Sequence, residues 1–403
     1  MKTTILNLTL IITSFALVSC GDDSGSTPVP TPTTTTEYSG VISESVTWTK
    51  DNVYELSGRV VVPSGVTLTI EAGTVVKAYP GQEANACALI VARGGKLMAE
   101  GTAAEPIIFT TTADQITNTH TNYPGFANLD ESYKGYWGGL IVLGNAEISA
   151  DADQKQIEGI PASDSNGLYG GSDNSDNSGV IRYIQIRHGG TLLGDDNEIN
   201  GLTLGGVGNG TTIEYVEVIG NVDDGIECFG GSVNIDHALV WAQGDDAFDI
   251  DQSYSGTINN FMGIADAESD HALEIDGPEG SMVGLFTMSN GTLKGFNSNG
   301  GEYADFRKEA TGTLSNTYFY NFSCSSDFEI DGSTNTNGAN SLTFSNLEFN
   351  TSQLADSCKN MVSVICDDQT GSSANFNATN VLTASVGADE SKFTSWTCYY
   401  REN

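Results

Sequence analysis

The chain has 403 residues, 38% of them apolar, and 52 acidic against 16 basic side chains give it a formal charge of −36. So negative a surface excludes nucleic acid and anionic headgroups as electrostatic partners, and no nucleotide-binding fingerprint is present. Divalent cations and neutral or basic ligands stay compatible with it.

Met1 and Lys2 precede an apolar run from Ile5 to Val18, and Leu17-Val18-Ser19-Cys20 has the form of a lipobox. The run is too short for a stable span, so residues 1–19 read as a lipoprotein signal peptide and Cys20 as the acylated first residue of the mature chain. Residues 20–37, rich in Ser, Thr and Pro, read as a flexible tether. The first partner is therefore a lipid bilayer.

Further along, short β-rich runs alternate with Gly, Asn and Asp: Arg59 to Val62, Val66 to Ile70, Gly73 to Ala78, Ala88 to Val91, Gly95 to Gly101, Pro106 to Thr110 and Trp137 to Leu143. No amphipathic helix separates them. Short strands recurring at the circumference of a coil predict stacked rungs, so residues 38–403 are expected to form a right-handed single-stranded parallel β-helix. Stretches 118–131 and 150–178 lack periodicity and read as loops. The aromatic end, Phe393 to Tyr400, is expected to cap the last rung.

The clearest repeat is Asp223-Asp224-Gly225-Ile226-Glu227, echoed by Asp245-Asp246-Ala247-Phe248-Asp249 and Asp270-His271-Ala272-Leu273-Glu274, with fainter copies at Tyr303 to Arg307 and Ser325 to Glu329. Strand alternation turns Ile226, Phe248, Leu273, Phe306 and Phe328 inward and stacks Glu227, Asp249, Glu274, Arg307 and Glu329 outward. A second outward column holds Asp251, Asp276, Glu309 and Asp331. Carboxylates stacked about 4.8 Å apart repel unless neutralised, and Ca²⁺ takes six to eight oxygens in flexible geometry. Asp245, Asp249, Asp251, Glu274 and Asp276 are the candidate ligands. Acidic strand ends are also ordinary on so acidic a protein, and corner Asp residues accept backbone amides.

Six cysteines besides Cys20 permit disulfides in an oxidising compartment, with Cys358 and Cys366 the nearest pair and Cys228 a candidate buried thiol. No spacing supports a zinc site. Trp48, Trp137, Trp241 and Tyr254 could stack on sugars if they face outward, and are core residues if they do not. His188 reads as a strand-end hydrogen-bonder or a contact residue.

The strings Trp137 to Gly144, Ile181 to Gly190 and Glu198 to Gly208 resemble a widespread group of bacterial exported β-helix lipoproteins, which implies the fold and an envelope location. Asp22 and Asp23 after Cys20 resemble the signal that sends some lipoproteins to the outer face of the outer membrane. Gly244 to Phe248, Asp270 to Leu273 and Arg307-Lys308 resemble the motif strands of pectin-cleaving β-helix hydrolases. Ser269-Asp270-His271 stands in place of Gly-His-Gly, however, and Phe306-Arg307-Lys308 in place of Arg-Ile-Lys. That resemblance implies Asp246 as general acid, Asp223, Asp224 and Asp245 as water-activating carboxylates, and His271 and Arg307 as substrate contacts.

Three functions fit: a surface-anchored outer-membrane lipoprotein acting as a glycan-binding or adhesion module dependent on Ca²⁺, a polysaccharide hydrolase or lyase on the same face, or a structural envelope protein.

Overall fold

The computed structural model describes residues 34–82, 85–194, 197–298, 301–331, 341–352 and 378–403. The signal peptide, Cys20, most of the tether, and the Cys358 and Cys366 pair lie outside these residues. Within the expected tether, Thr34–Val41 is a strand paired in parallel with Asn52–Val62, because a run of β-branched threonines completes an otherwise open sheet edge.

The fold is a parallel β-helix. Each rung combines a long strand, such as Thr212–Ile219 or Asn234–Trp241, with a short one, such as Ile226–Phe229 or Phe248–Asp251, and each pairs in parallel with its counterpart on the next rung. Two inward columns run through the short strands. Val60, Leu89, Leu140, Leu202, Ile226, Phe248, Leu273, Ala304 and Phe328 form one, and Val62, Val91, Val142, Leu204, Cys228, Ile250, Ile275, Phe306 and Ile330 the other. All are buried, and burying each larger aliphatic or aromatic side chain contributes about 1.5–3 kcal/mol. Cys228 is a core thiol, and Trp48, Trp137, Trp241 and Tyr254 are buried too, so none of the four is a sugar platform. Cys87 and Cys398 are likewise buried free thiols, whereas Cys324 is disulfide-bonded.

Each long strand bends at a residue in the left-handed region. Tyr183, Tyr215, His237, Asn260, Asn290, Asn316 and Asn346 occupy this corner on successive rungs, with φ from 49° to 63°. Asparagine tolerates that conformation best, and here its amides also hydrogen-bond along the stack: Asn316 donates to Asn290 at 3.3 Å and Asn346 to Asn316 at 2.9 Å. At the upper rungs ring stacking takes over, with Tyr183 and Tyr215 centroids 4.2 Å apart.

The aromatic C-terminal segment does not close the last rung, contrary to expectation. It returns along the flank, with Ser385 N–H on Glu348 at 2.6 Å, Ala388 N–H on Thr292 at 2.8 Å, and Gln185 donating to the Trp396 carbonyl at 2.7 Å. The cause lies in the long strands. Leu239, Trp241, Met262 and Ile264 alternate outward yet are apolar, and Phe393, Trp396 and Cys398 cover them.

One of the two outward columns on the short strands carries the candidate site. It reads Val61, Ile90, Ile141, Thr203, Glu227, Asp249, Glu274, Asp305, Glu329 in rung order. The apolar half packs against Ile148, Ile157, Ile160 and Tyr169 of the 144–178 insertion, and the acidic half begins where that cover stops.

Candidate functional site

The true register shifts one expected position. Asp305, not Arg307, follows Glu274, because Phe306 pairs with Ile275 rather than with Leu273. Both alternatives keep phenylalanine inward, so alternation alone cannot choose between them. Arg307 falls in the second column beside Asp276, the place expected for Glu309. Glu309 instead sits in a left-handed corner with φ 60°.

That shift changes the electrostatics. The Arg307 guanidinium donates through Nε to Asp276 at 2.8 Å and through Nη2 to Glu274, and Lys308 adds a second cation at Asp276. Burial works against the Asp276 carboxylate, but these hydrogen bonds outweigh it and hold its pKa below the ordinary value. His271 bridges rungs in the same way. Its Nδ1 donates to Asp246 at 2.8 Å, its backbone N–H donates to the same oxygen at 2.9 Å, and Nε2 lies 3.5 Å from Glu302. Desolvation alone would lower its pKa; the hydrogen bonds to Asp246 and Glu302 reverse this and push it up to about 12. Asp246, His271 and Glu274 thus form an ion-paired knot.

One rung earlier two groups of acids meet. Oxygens of Asp223, Asp224 and Asp245 lie within 4.8 Å of one another, as do those of Asp224, Glu227 and Asp249. Asp224 belongs to both groups. It is buried, and its Oδ1 accepts the Asp246 backbone N–H at 3.0 Å. Glu227 accepts from the Asn200 amide, while the Asp249 Oδ1 is buried with no hydrogen-bond donor among the described residues. Burial, and after it the neighbouring carboxylates, drive the pKa values of Asp224, Glu227 and Asp249 far above the ordinary range.

The structure thus brings Asp246 and His271 into contact, gathers Asp223, Asp224 and Asp245, and ties Arg307 to Glu274 and Asp276. The five expected cation ligands do not converge. Asp245 and Asp249 fall in separate groups around Asp224, Glu274 joins His271, Asp276 is taken by Arg307 and Lys308, and Asp251 lies beside Asp276. Glu227 was missing from the expected ligand set, although its place in the repeat, one residue after the inward Ile226, marks it. His188 is buried with Nδ1 2.7 Å from the Tyr133 carbonyl, and burial lowers its pKa to about 4, so it is a strand-end hydrogen-bonder.

Residues 40–400 match the family model described as a pectate-lyase-like β-helix domain, and the chain belongs to that family. No curated protein and no solved structure matches it.

Proposed function

We propose that the face around Asp224 binds Ca²⁺ and, through it, glycan, on a coil held at the outer membrane by a lipid on Cys20. The observation that carries this reading is that two carboxylate triads, Asp223–Asp224–Asp245 and Asp224–Glu227–Asp249, share Asp224, each with oxygens within 4.8 Å of one another, beside carboxylates that His271, Arg307 and Lys308 neutralise. Oxygens sharing one Ca²⁺ at 2.3–2.6 Å lie no more than about 5 Å apart, whereas an inverting hydrolase keeps its carboxyls roughly 6.5–9.5 Å apart to admit water. The family membership supports a glycan as the ligand.

Thermal melts in EDTA and across a Ca²⁺ titration, with Mg²⁺ as control, test the cation. At a hundred times Kd the native state gains about 2.7 kcal/mol, a gain that Asp224→Asn with Asp249→Asn should abolish. Retardation in polygalacturonate gels, with Ca²⁺ and with EDTA, tests the glycan. A midpoint indifferent to Ca²⁺ would sink the reading. Radiolabelled palmitate incorporation, lost in Cys20→Ala, tests the anchor.

A second reading, cleavage of the polysaccharide, is favoured by one observation. Asp276 is held ionised, while burial and the adjacent Asp276 push Asp251 up to about 7, the split that a general base and a general acid require. Release of reducing ends from a polysaccharide panel, abolished in Asp251→Asn, would establish it.

A further inference from the structure

We propose that Tyr133, Tyr136 and Val222 form a stacking subsite for a pyranose ring of a polysaccharide, at the edge of the acidic face beside Asp223 and Asp245. The subsite rests on the glycan reading above and adds to it the surface that holds the sugar itself. Two large apolar side chains left in solvent, Tyr133 at 42% and Val222 at 36% exposure, lie at this one place. Gly135 rests on Val222, since a β-carbon there would stand 3.0 Å from Val222 Cγ2, and the Tyr133 and Tyr136 rings lie 6.5 Å apart, tilted by 47°. In the chain Val222 runs straight into Asp223. On the next rung Gly244 closes against the Val222 carbonyl, where a β-carbon would stand 2.0 Å from the oxygen, and Gly244 runs straight into Asp245. The apolar patch therefore borders the triad of Asp223, Asp224 and Asp245.

Tyr133 is exposed on a backbone that is tied down around it. Its carbonyl lies 2.7 Å from His188 Nδ1, the Gly135 N–H donates to the Gly189 carbonyl at 2.7 Å, and the Tyr136 N–H donates to the His188 carbonyl at 3.0 Å. Between them the buried Lys134 side chain reaches Asp266 at 2.8 Å and Glu268 at 3.0 Å. A ring presented by a fixed backbone offers a broad apolar surface and loses little freedom on binding, which suits it to a platform. Trp48, Trp137, Trp241 and Tyr254 are buried and cannot serve in this way.

The mixture of groups selects the occupant. A pyranose has a face of C–H groups to lay on Tyr133 and Val222 and a rim of hydroxyls to donate to Asp223 and Asp245. A purely apolar partner would bury those carboxylates without donors, at high cost. An acidic peptide would meet the same carboxylates, while Lys134 is already engaged by Asp266 and Glu268.

The experiment is retardation of the whole protein in polygalacturonate gels and in gels of a neutral glucan, each run with Ca²⁺ and with EDTA, alongside sedimentation velocity and thermal melts in the same buffers. Tyr133→Ala should weaken the apparent Kd in the retarding gel by about tenfold, and Tyr133→Phe, which keeps the ring, should recover most of that loss. Both variants should keep the midpoint gain from Ca²⁺, since no carboxylate is altered. Retardation of Tyr133→Ala equal to the parent's overturns the subsite and leaves the cation-mediated reading standing. Parent retardation that is indifferent to Ca²⁺ yet lost in Tyr133→Ala supports the subsite and overturns the part of the cation. A parent retarded in neither gel overturns both. Tyr133→Phe as weak as Tyr133→Ala makes the hydroxyl the contact and overturns stacking, and a dimer that Tyr133→Ala dissolves makes the patch a self-contact and overturns the proposal.

Discussion

Glu217 carries the docking of the C-terminal segment, and its ionisation should be visible as a pH-dependent loosening of that segment alone. The side chain is fully buried, and its carboxylate accepts the backbone N–H groups of Cys398 at 2.7 Å and Tyr399 at 2.9 Å. Burial raises its pKa from 4.5 to about 7, despite those two bonds and the nearby Arg187. Because the folded value lies above the unfolded one, the native state holds the proton more tightly. Its stabilising effect is complete below pH 4.5 and is lost as pH climbs towards 7. A shift of this size corresponds to about 3 kcal/mol across that window. Glu217→Gln keeps an amide oxygen to accept one N–H and removes the titration. Hydrogen exchange of the peptide spanning Phe393 to Asn403, normalised for intrinsic rates at pH 4.5, 6 and 7.5, reads the local opening. Protection in the parent should fall with rising pH by up to about a hundredfold, the equivalent of 3 kcal/mol, and stay level in Glu217→Gln. Equal pH dependence in both proteins would refute the reasoning.

Two further outcomes are expected. Asn316→Ala should destabilise the protein by about 1–2 kcal/mol in urea denaturation, since alanine at φ 50° meets the left-handed penalty and the amide bonds to Asn290 and Asn346 are lost, whereas Asn316→Gly should cost less. Asp246→Asn should pull the His271 pKa well below about 12, followed as the imidazole proton shift in an NMR titration, and an unchanged value would show that Glu302 alone sustains it.

Much of the coil could be read in the chain because a rung imposes two independent patterns at once, short β-rich runs and an inward apolar residue beside an outward acid. Ile226, Phe248, Leu273, Phe306 and Phe328 are all inward for that reason. The phase of Asp305 and Arg307 was not legible, since a slip of two residues preserves alternation and only stacking on Glu274 and Glu329 chooses. The corner asparagines carried a signal that went unused: Thr257-Ile258-Asn259-Asn260, Thr287-Met288-Ser289-Asn290, Thr313-Leu314-Ser315-Asn316 and Thr343-Phe344-Ser345-Asn346 repeat one four-residue pattern. So did the flank, where the unbroken apolar run Ala238-Leu239-Val240-Trp241 announces a strand covered on both faces. Which segment supplies the cover depends on a contact 181 residues long, beyond any local pattern.

That long contact also sets an order of events. Rungs are local and can stack as soon as a neighbour exists, but the flank over Leu239, Trp241, Met262 and Ile264 stays bare until residues 393–398 arrive from beyond the last rung. A chain folding from its N-terminal end would therefore build its coil progressively and then fasten it in one late step. Until that step, the same apolar flank is open to a holding partner or to another unfinished coil. Truncation before Phe393 would leave the acidic face intact on a protein prone to associate through its side.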